Sequence, residues 1–141
     1  MEKHNLSRRS KENLSGVKNP IKLLVQRSLK KSKHDFGIPN DGGRRTPQRQ
    51  NELFLLVPKV TNCDGYIKKS YHQSGMAFDI FLFDEHGACW KCLSKYKEIA
   101  DTIKQEFKVM QNEGHFCSCE RLQWGGDWKH PDRPHFQIVK R

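Results

Sequence analysis

Two stretches of the chain carry side chains suited to holding a metal ion. The first, SYHQSGMAFD from Ser70 to Asp79, places His72 and Asp79 seven positions apart with Gly75 between them. Neutral imidazole and carboxylate are both common zinc ligands, and a glycine lets the backbone turn tightly enough to bring two such groups toward one point. The second, WGGDWKHPDRPHF near the C-terminus, offers His135, with Asp132 three residues earlier on a Pro/Asp-rich loop. Histidine, aspartate and histidine with one open position is the stoichiometry of a catalytic zinc site, whereas a structural site is closed by four protein ligands. The chemistry this allows is hydrolysis. Zinc lowers the pKa of a water from 15.7 to about 7, and a carboxylate placed like Asp132 is positioned to take that water's proton as general base.

Ser70, His72, Gly75, Ala77 and Asp79 together spell Ser-x-His-x-x-Gly-x-Ala-x-Asp. In this the chain resembles the zinc peptidases that cut peptides containing D-amino acids. That family includes D-Ala-D-Ala carboxypeptidases and dipeptidases, and the L-alanyl-D-glutamate endopeptidases of phage endolysins. The tail, Trp124-Gly-Gly-Asp-Trp128 followed by Asp132-x-x-His135-Phe136, is similar to the endopeptidase branch in particular. The likeness runs from about Pro20 to Ile138. It implies one zinc ion held by His72, Asp79 and His135, with Asp132 as general base and Ser70 orienting a ligand. It also implies that Arg45, in the Gly-x-Arg-Thr run, reaches the substrate carbonyl and stabilises the negative oxygen that develops there. Many relatives of the carboxypeptidase and dipeptidase branches have glutamate where Asp132 stands, and the shorter side chain favours the endopeptidase branch. The implied substrate is peptidoglycan, cut between L-alanine and D-glutamate of the stem peptide. The alternatives are a D-Ala-D-Ala carboxypeptidase and a non-catalytic zinc- or wall-binding module on the same scaffold.

The chain has 141 residues and a net charge of +10. This length suits one domain with a real core, and the charge spreads a positive field over much of its surface. A basic surface attracts polyanions, among them nucleic acid, anionic membranes and cell wall. The aromatic residues sit in apolar runs or in the WGGDW loop and are not interleaved with basic ones. No nucleic-acid partner is therefore expected, and cell wall, whose stem peptides carry carboxylates, is favoured. No segment approaches the roughly 20 apolar residues of a membrane span, and MEKHNLSRRSKENLSG at the start has no apolar signal-peptide core. The expectation is a monomer without stable membrane insertion, cytoplasmic at synthesis. The likeness to endolysins adds access to the wall after a holin opens the membrane.

The elements that must position these residues follow from periodicity and punctuation. Residues 1–18 are polar, basic and aperiodic, and are expected to form a flexible arm or a first short turn, leaving 19–141 as a single peptidase domain. Asn19-Pro20 reads as a cap followed by a first-turn proline, and Ile21, Leu24, Val25 and Leu29 share one face of a helix to about residue 31. A short strand at 35–38 precedes a Pro/Gly turn cluster. Thr46-Pro47 repeats the capping signal for a helix to about Val57, and 58–69 form a loop. Met76–Phe83 alternates as one strand with Ala77, Asp79, Phe81 and Phe83 on one face. A carboxylate on such a face needs a partner, which a zinc ion supplies. Ile99, Ile103, Phe107 and Met110 mark a helix from about Ser94 to Gln111, and 122–124 and 135–139 are short strands. In the last, His135, Gln137 and Val139 face one way and Phe136 and Ile138 the other. The class is α+β: a small, mainly antiparallel sheet flanked by helices, carrying the metal on the sheet, as in the family it resembles.

Cys89-x-x-Cys92 and Cys117-x-Cys119 suggest a four-thiolate zinc site, but distance argues against one. The intervening helix is about 27 Å long at 1.5 Å per residue, and the few residues beyond it return at most about 20 Å. Five cysteines, an odd number, fit a reducing compartment better than a disulfide scaffold. They are expected to be small buried residues or idle thiols. Trp124 and Trp128 are candidates either for a groove wall or for the core.

Overall fold

The computed structural model describes residues 4–140. Its two longest helices, Asn19–Lys31 and Leu93–Asn112, pack against each other. Helix α1 spans Arg8–Asn13 and α2 spans Asn19–Lys31, with Ile21, Leu24, Val25 and Leu29 buried on one face of α2. Pro20 sits in its first turn, but the N-cap is Lys18, which makes no side-chain capping bond, and Asn19 is already helical. After the strand β1, Asp35–Gly37, helix α3 runs over Pro47–Phe54. The Thr46 hydroxyl caps it by accepting from the Arg49 N–H.

The N-terminal segment differs from the expected arm. Its residues 1–3 lie outside the described part, but Ser7 caps α1, and Leu6, Leu14 and Val17 are buried in the core. The Ile38 N–H donates to the Ser10 hydroxyl at 3.0 Å, and the Asn13 amide donates to the Ile38 carbonyl at 2.8 Å. Three apolar residues at irregular spacing give no periodic signal, yet all three belong to the buried core cluster.

The strand expected over 76–83 is two strands in two sheets. β2 covers Ala77–Asp79, β3 covers Phe81–Asp84, and the chain changes ladder at Ile80. There the Asp79 N–H is taken by the Gly42 carbonyl and the Ile80 N–H by the Pro134 carbonyl. Alternation continues through the break, so Phe78, Ile80 and Leu82 all enter the core. A further strand, β4 at Gly87–Cys89, closes a hairpin with β3 through a turn at Gly87, whose φ is +104°. Helix α4, Leu93–Asn112, buries Tyr96, Ile99, Ile103, Phe107 and Met110. It pairs with α2 through buried Glu106, which meets Arg27 and Lys31. β5, Glu120–Trp124, and β6, His135–Lys140, complete the sheets. Their orders are β1-β3-β4 and β2-β6-β5, with every pairing antiparallel.

One register feature positions the site. β2 pairs with β6 so that Asp79 stands opposite His135. Phe136 stacks on Phe78 at 5.1 Å on the core side of the same ladder, which leaves Asp79 and His135 on the other face.

Candidate active site

His72 reaches this pair from a short 3-10 turn, Tyr71–Ser74. Ser70 caps that turn: its hydroxyl accepts from the His72 N–H, and the Gln73 side chain answers by accepting from the Ser70 N–H. Ser70 therefore fixes the His72 backbone. The ring is oriented by another group, the Gly43 carbonyl, which accepts from Nδ1 at 2.8 Å. Gly75 ends the turn with φ +73°, and a Cβ there would lie 2.6 Å from the Gly16 carbonyl oxygen. Its glycine is required on both counts.

Three atoms converge. His72 Nε2 lies 3.2 Å from His135 Nδ1 and 3.3 Å from Asp79 Oδ1, and His135 Nδ1 lies 3.0 Å from Asp79 Oδ1. Ligands at about 2.0–2.1 Å around a tetrahedral zinc stand about 3.3 Å from one another, so these atoms are spaced as one face of that tetrahedron. Their chemistry agrees. His72 Nδ1 gives its proton to the Gly43 carbonyl, and His135 Nε2 gives its proton to the Gln137 Oε1 at 2.8 Å. In the neutral rings the two converging nitrogens then carry lone pairs. Two lone pairs and a carboxylate oxygen converging on one point are suited to a cation, and the residues fit a metal ion.

Without a metal, protons take that place. Burial raises the Asp79 carboxyl pKa, but hydrogen bonds and charge from His135 and His72 outweigh it and hold the group well below the ordinary carboxylate range. Burial lowers the His135 pKa, yet Asp79, Gln137 and Asp132 together leave it raised.

The other oxygen of Asp79 accepts from Arg45 Nη2 at 3.1 Å. Arg45 also donates to the Asp41 carbonyl and the Gln50 side chain. The arginine is thus anchored behind Asp79 while still lining the cleft. Gln137 is held in turn by Gln123 at 2.8 Å. Gly43, Gln50, Gln123 and Gln137 all support the site without having been singled out in the sequence. Of these only Gln137 had a signal, its place two residues after His135 on the same strand face.

Asp132 stands on the loop before β6, exposed to the same cleft. Crowding by protein atoms and the charge of Asp79 push its pKa up, against the lowering pull of His135, His72 and Arg45. Its place is set by the WGGDW segment. The Asp132 N–H donates to the Gly125 carbonyl at 2.8 Å, and a Cβ on Gly125 would come within 2.2 Å of the Asp132 carbonyl oxygen. Trp124 is a core residue that also holds this loop, donating from Nε1 to the Arg133 carbonyl at 2.7 Å. Trp128 is different: half-exposed, it lines the cleft with its ring 5.4 Å from His135. His130 lines the same cleft of about 1090 Å³.

A profile of the phage L-alanyl-D-glutamate peptidase family matches residues 2–140. The chain belongs to that family. No curated protein matches it by sequence. Among solved structures, the L-Ala D-Glu endopeptidase ChiX of Serratia marcescens superimposes with a TM-score of 0.75 at 26% identity, covering 96% of this chain and 90% of that one. As a member of the family the chain is a peptidase of peptidoglycan rather than a non-catalytic module on the same scaffold.

The cysteines correct the expectation of idle thiols. Cys89 is bonded to Cys92 and Cys117 to Cys119, leaving Cys63 free. Their Cα separations, 5.9 and 5.3 Å, lie within the normal disulfide range, which such short sequence spacings readily reach. Asp84 lies with Cys89 and Cys92 in a second grouping of ligand-type atoms, but the bonded sulfurs are not thiolates. The pairs sit at opposite ends of α4, which rules out the shared four-thiolate site. Among the described residues no helix is long and apolar enough to cross a membrane.

Proposed function

We propose that the chain is a zinc-dependent endopeptidase cutting the bond between L-alanine and D-glutamate in peptidoglycan stem peptides. The convergence of His72 Nε2, Asp79 Oδ1 and His135 Nδ1 as three acceptors with tetrahedral spacing carries this reading. Zinc held by these residues would supply a water acidic enough to react at neutral pH and a positive charge to favour the developing oxyanion. The remaining work belongs to the protein.

Asp132, on the cleft wall, takes the proton of the attacking water and passes it to the departing amine of D-glutamate. Its raised pKa suits both halves of that transfer, since a stronger base accepts more readily and still releases the proton to an amine. Arg45 has five N–H donors, of which bonds to Asp41, Gln50 and Asp79 engage three. It fixes the Asp79 carboxylate and offers its charge to the oxygen that becomes negative on the substrate. The Gly43 carbonyl and Gln137 fix the two imidazole tautomers, leaving the correct nitrogen of each ring unprotonated. Ser70 acts one step further back, through the His72 backbone.

The positive charge of the chain suits an acidic wall polymer, and the proposal includes a monomer acting on the wall without nucleic-acid partners. Release to the wall through a holin-type opening belongs to the same proposal and is supported by the phage family. Mass spectrometry of fragments released from purified peptidoglycan tests the bond. New C-terminal L-alanine and N-terminal D-glutamate are expected, whereas release of terminal D-alanine alone would mark a carboxypeptidase.

A further inference from the structure

The cleft holds exposed aromatic surface to which the mechanism above gives no part. Trp90 lies between β4 and α4, inside the small ring closed by the Cys89–Cys92 disulfide. Its indole rests against Phe81 with ring centroids 6.0 Å apart and lines the same cleft as His72, Asp79 and His135, yet it remains 52% exposed. Trp128, beside His135, is 38% exposed in that cleft. The disulfide ties the backbone on both sides of Trp90, which reduces the backbone freedom to be lost when a ligand covers the ring.

We propose that Trp90 forms a saccharide subsite that stacks on an N-acetylated sugar of the glycan strand. This rests on the cleavage position given above. L-alanine is the first residue of the stem peptide and is joined by an amide to the lactyl group of N-acetylmuramic acid. A bond cut just after that residue therefore lies only about one residue length, roughly 3.5 Å, plus the lactyl group from the sugar. The flat C–H face of a pyranose is apolar and matches an indole face in width, so stacking removes apolar area of both from water. The cleft, at about 1090 Å³, exceeds what a dipeptide fills. Lys68 and Lys69, from the loop before Ser70, line it too and offer charge for the carboxylates of the peptide, leaving the aromatic part for the neutral sugar.

The test compares two substrates carrying one stem peptide, free in one case and attached to the N-acetylglucosamine–N-acetylmuramic acid disaccharide in the other. The wild type is expected to show a higher kcat/KM on the linked form. In Trp90→Ala the linked-to-free ratio should fall about tenfold, the effect of uncovering one stacked aromatic face, while Trp90→Phe should retain most of it. Equal losses on both substrates, leaving the ratio at the wild-type value, would show that Trp90 only props the fold and would overturn the subsite. A wild type that cuts both forms equally well overturns it too. Cleavage of neither at the L-alanyl–D-glutamate bond would instead contradict the activity, and the subsite with it.

Discussion

Gly125→Ala probes how tightly Asp132 must be placed. A Cβ at this position would lie 2.2 Å from the Asp132 carbonyl oxygen and 3.0 Å from its Cβ. An ordinary carbon–oxygen contact is about 3.3 Å, so one backbone segment has to retreat by about 1 Å. Neither partner is a flexible side chain tip. The Asp132 N–H to Gly125 carbonyl bond, 2.8 Å, ties the two segments together and directs the displacement onto Asp132. Misplacing a reacting group by about 1 Å costs on the order of 10²-fold in rate, or about 2.7 kcal/mol of barrier. Overpacking adds about 1–3 kcal/mol of lost stability. The assay is kcat/KM for release of D-glutamate N-termini, with metal content measured on the same preparation. Zinc should fall far less than the rate: the His72 and His135 ring nitrogens and the Asp79 carboxylate are held by Gly43, Gln137 and Arg45, although the displaced Asp132 carbonyl also accepts from the His135 N–H at 3.2 Å. A Gly125→Ala enzyme with near wild-type rate and full zinc would refute the claim that Asp132 must sit where this loop puts it.

Asp132→Asn keeps size and removes the basic oxygen, so the rate should fall by about 10²–10⁴-fold while zinc content and Tm hold. Asp79→Asn should weaken the metal itself, so that excess zinc restores part of its activity and none of that of Asp132→Asn. Zinc affinity should climb with pH through the raised pKa of His135 and level off only above it, at higher pH than for a histidine with the ordinary value of about 6.5; titration at several pH values checks this. The stability of the chelated protein should run the other way. The His135 contribution, from a raised folded pKa, is complete below about pH 6.5 and is lost as pH rises through that pKa. The Asp79 contribution, from a depressed pKa, is complete above about pH 4 and is lost only in acid. Thermal melts of metal-free protein should therefore peak between about pH 4 and 6.5 and decline toward pH 8.

The residues that converge were legible because each is a polar side chain in a short stretch where few other roles suit it. His72 and Asp79 flank a glycine that must turn, and the structure gives Gly75 its positive φ. What brings Asp79 opposite His135 was not legible. It depends on the chain leaving one ladder at Ile80 and joining another, a change made by backbone groups of Gly42 and Pro134 that have no side-chain signature. The Gly43 carbonyl behind His72 was hidden for the same reason. The N-terminal segment was missed because Leu6, Leu14 and Val17 keep neither a helical nor an alternating period. Arg45 was singled out by likeness alone; its anchoring to Asp79 is tertiary information. The helices α2, α3 and α4 were the easiest to place, since proline or a hydroxyl cap opens two of them and each longer one carries an unbroken apolar face.

The most direct test of the account is the zinc content of purified protein, measured by inductively coupled plasma mass spectrometry for the wild type, two single variants and one double variant. The wild type should carry about one zinc per chain, and His72→Ala and His135→Ala should each lose it, while Cys89→Ser/Cys92→Ser keeps it. Histidine variants that retain a full equivalent of zinc, or a cysteine variant that loses it, would contradict the site built from His72, Asp79 and His135.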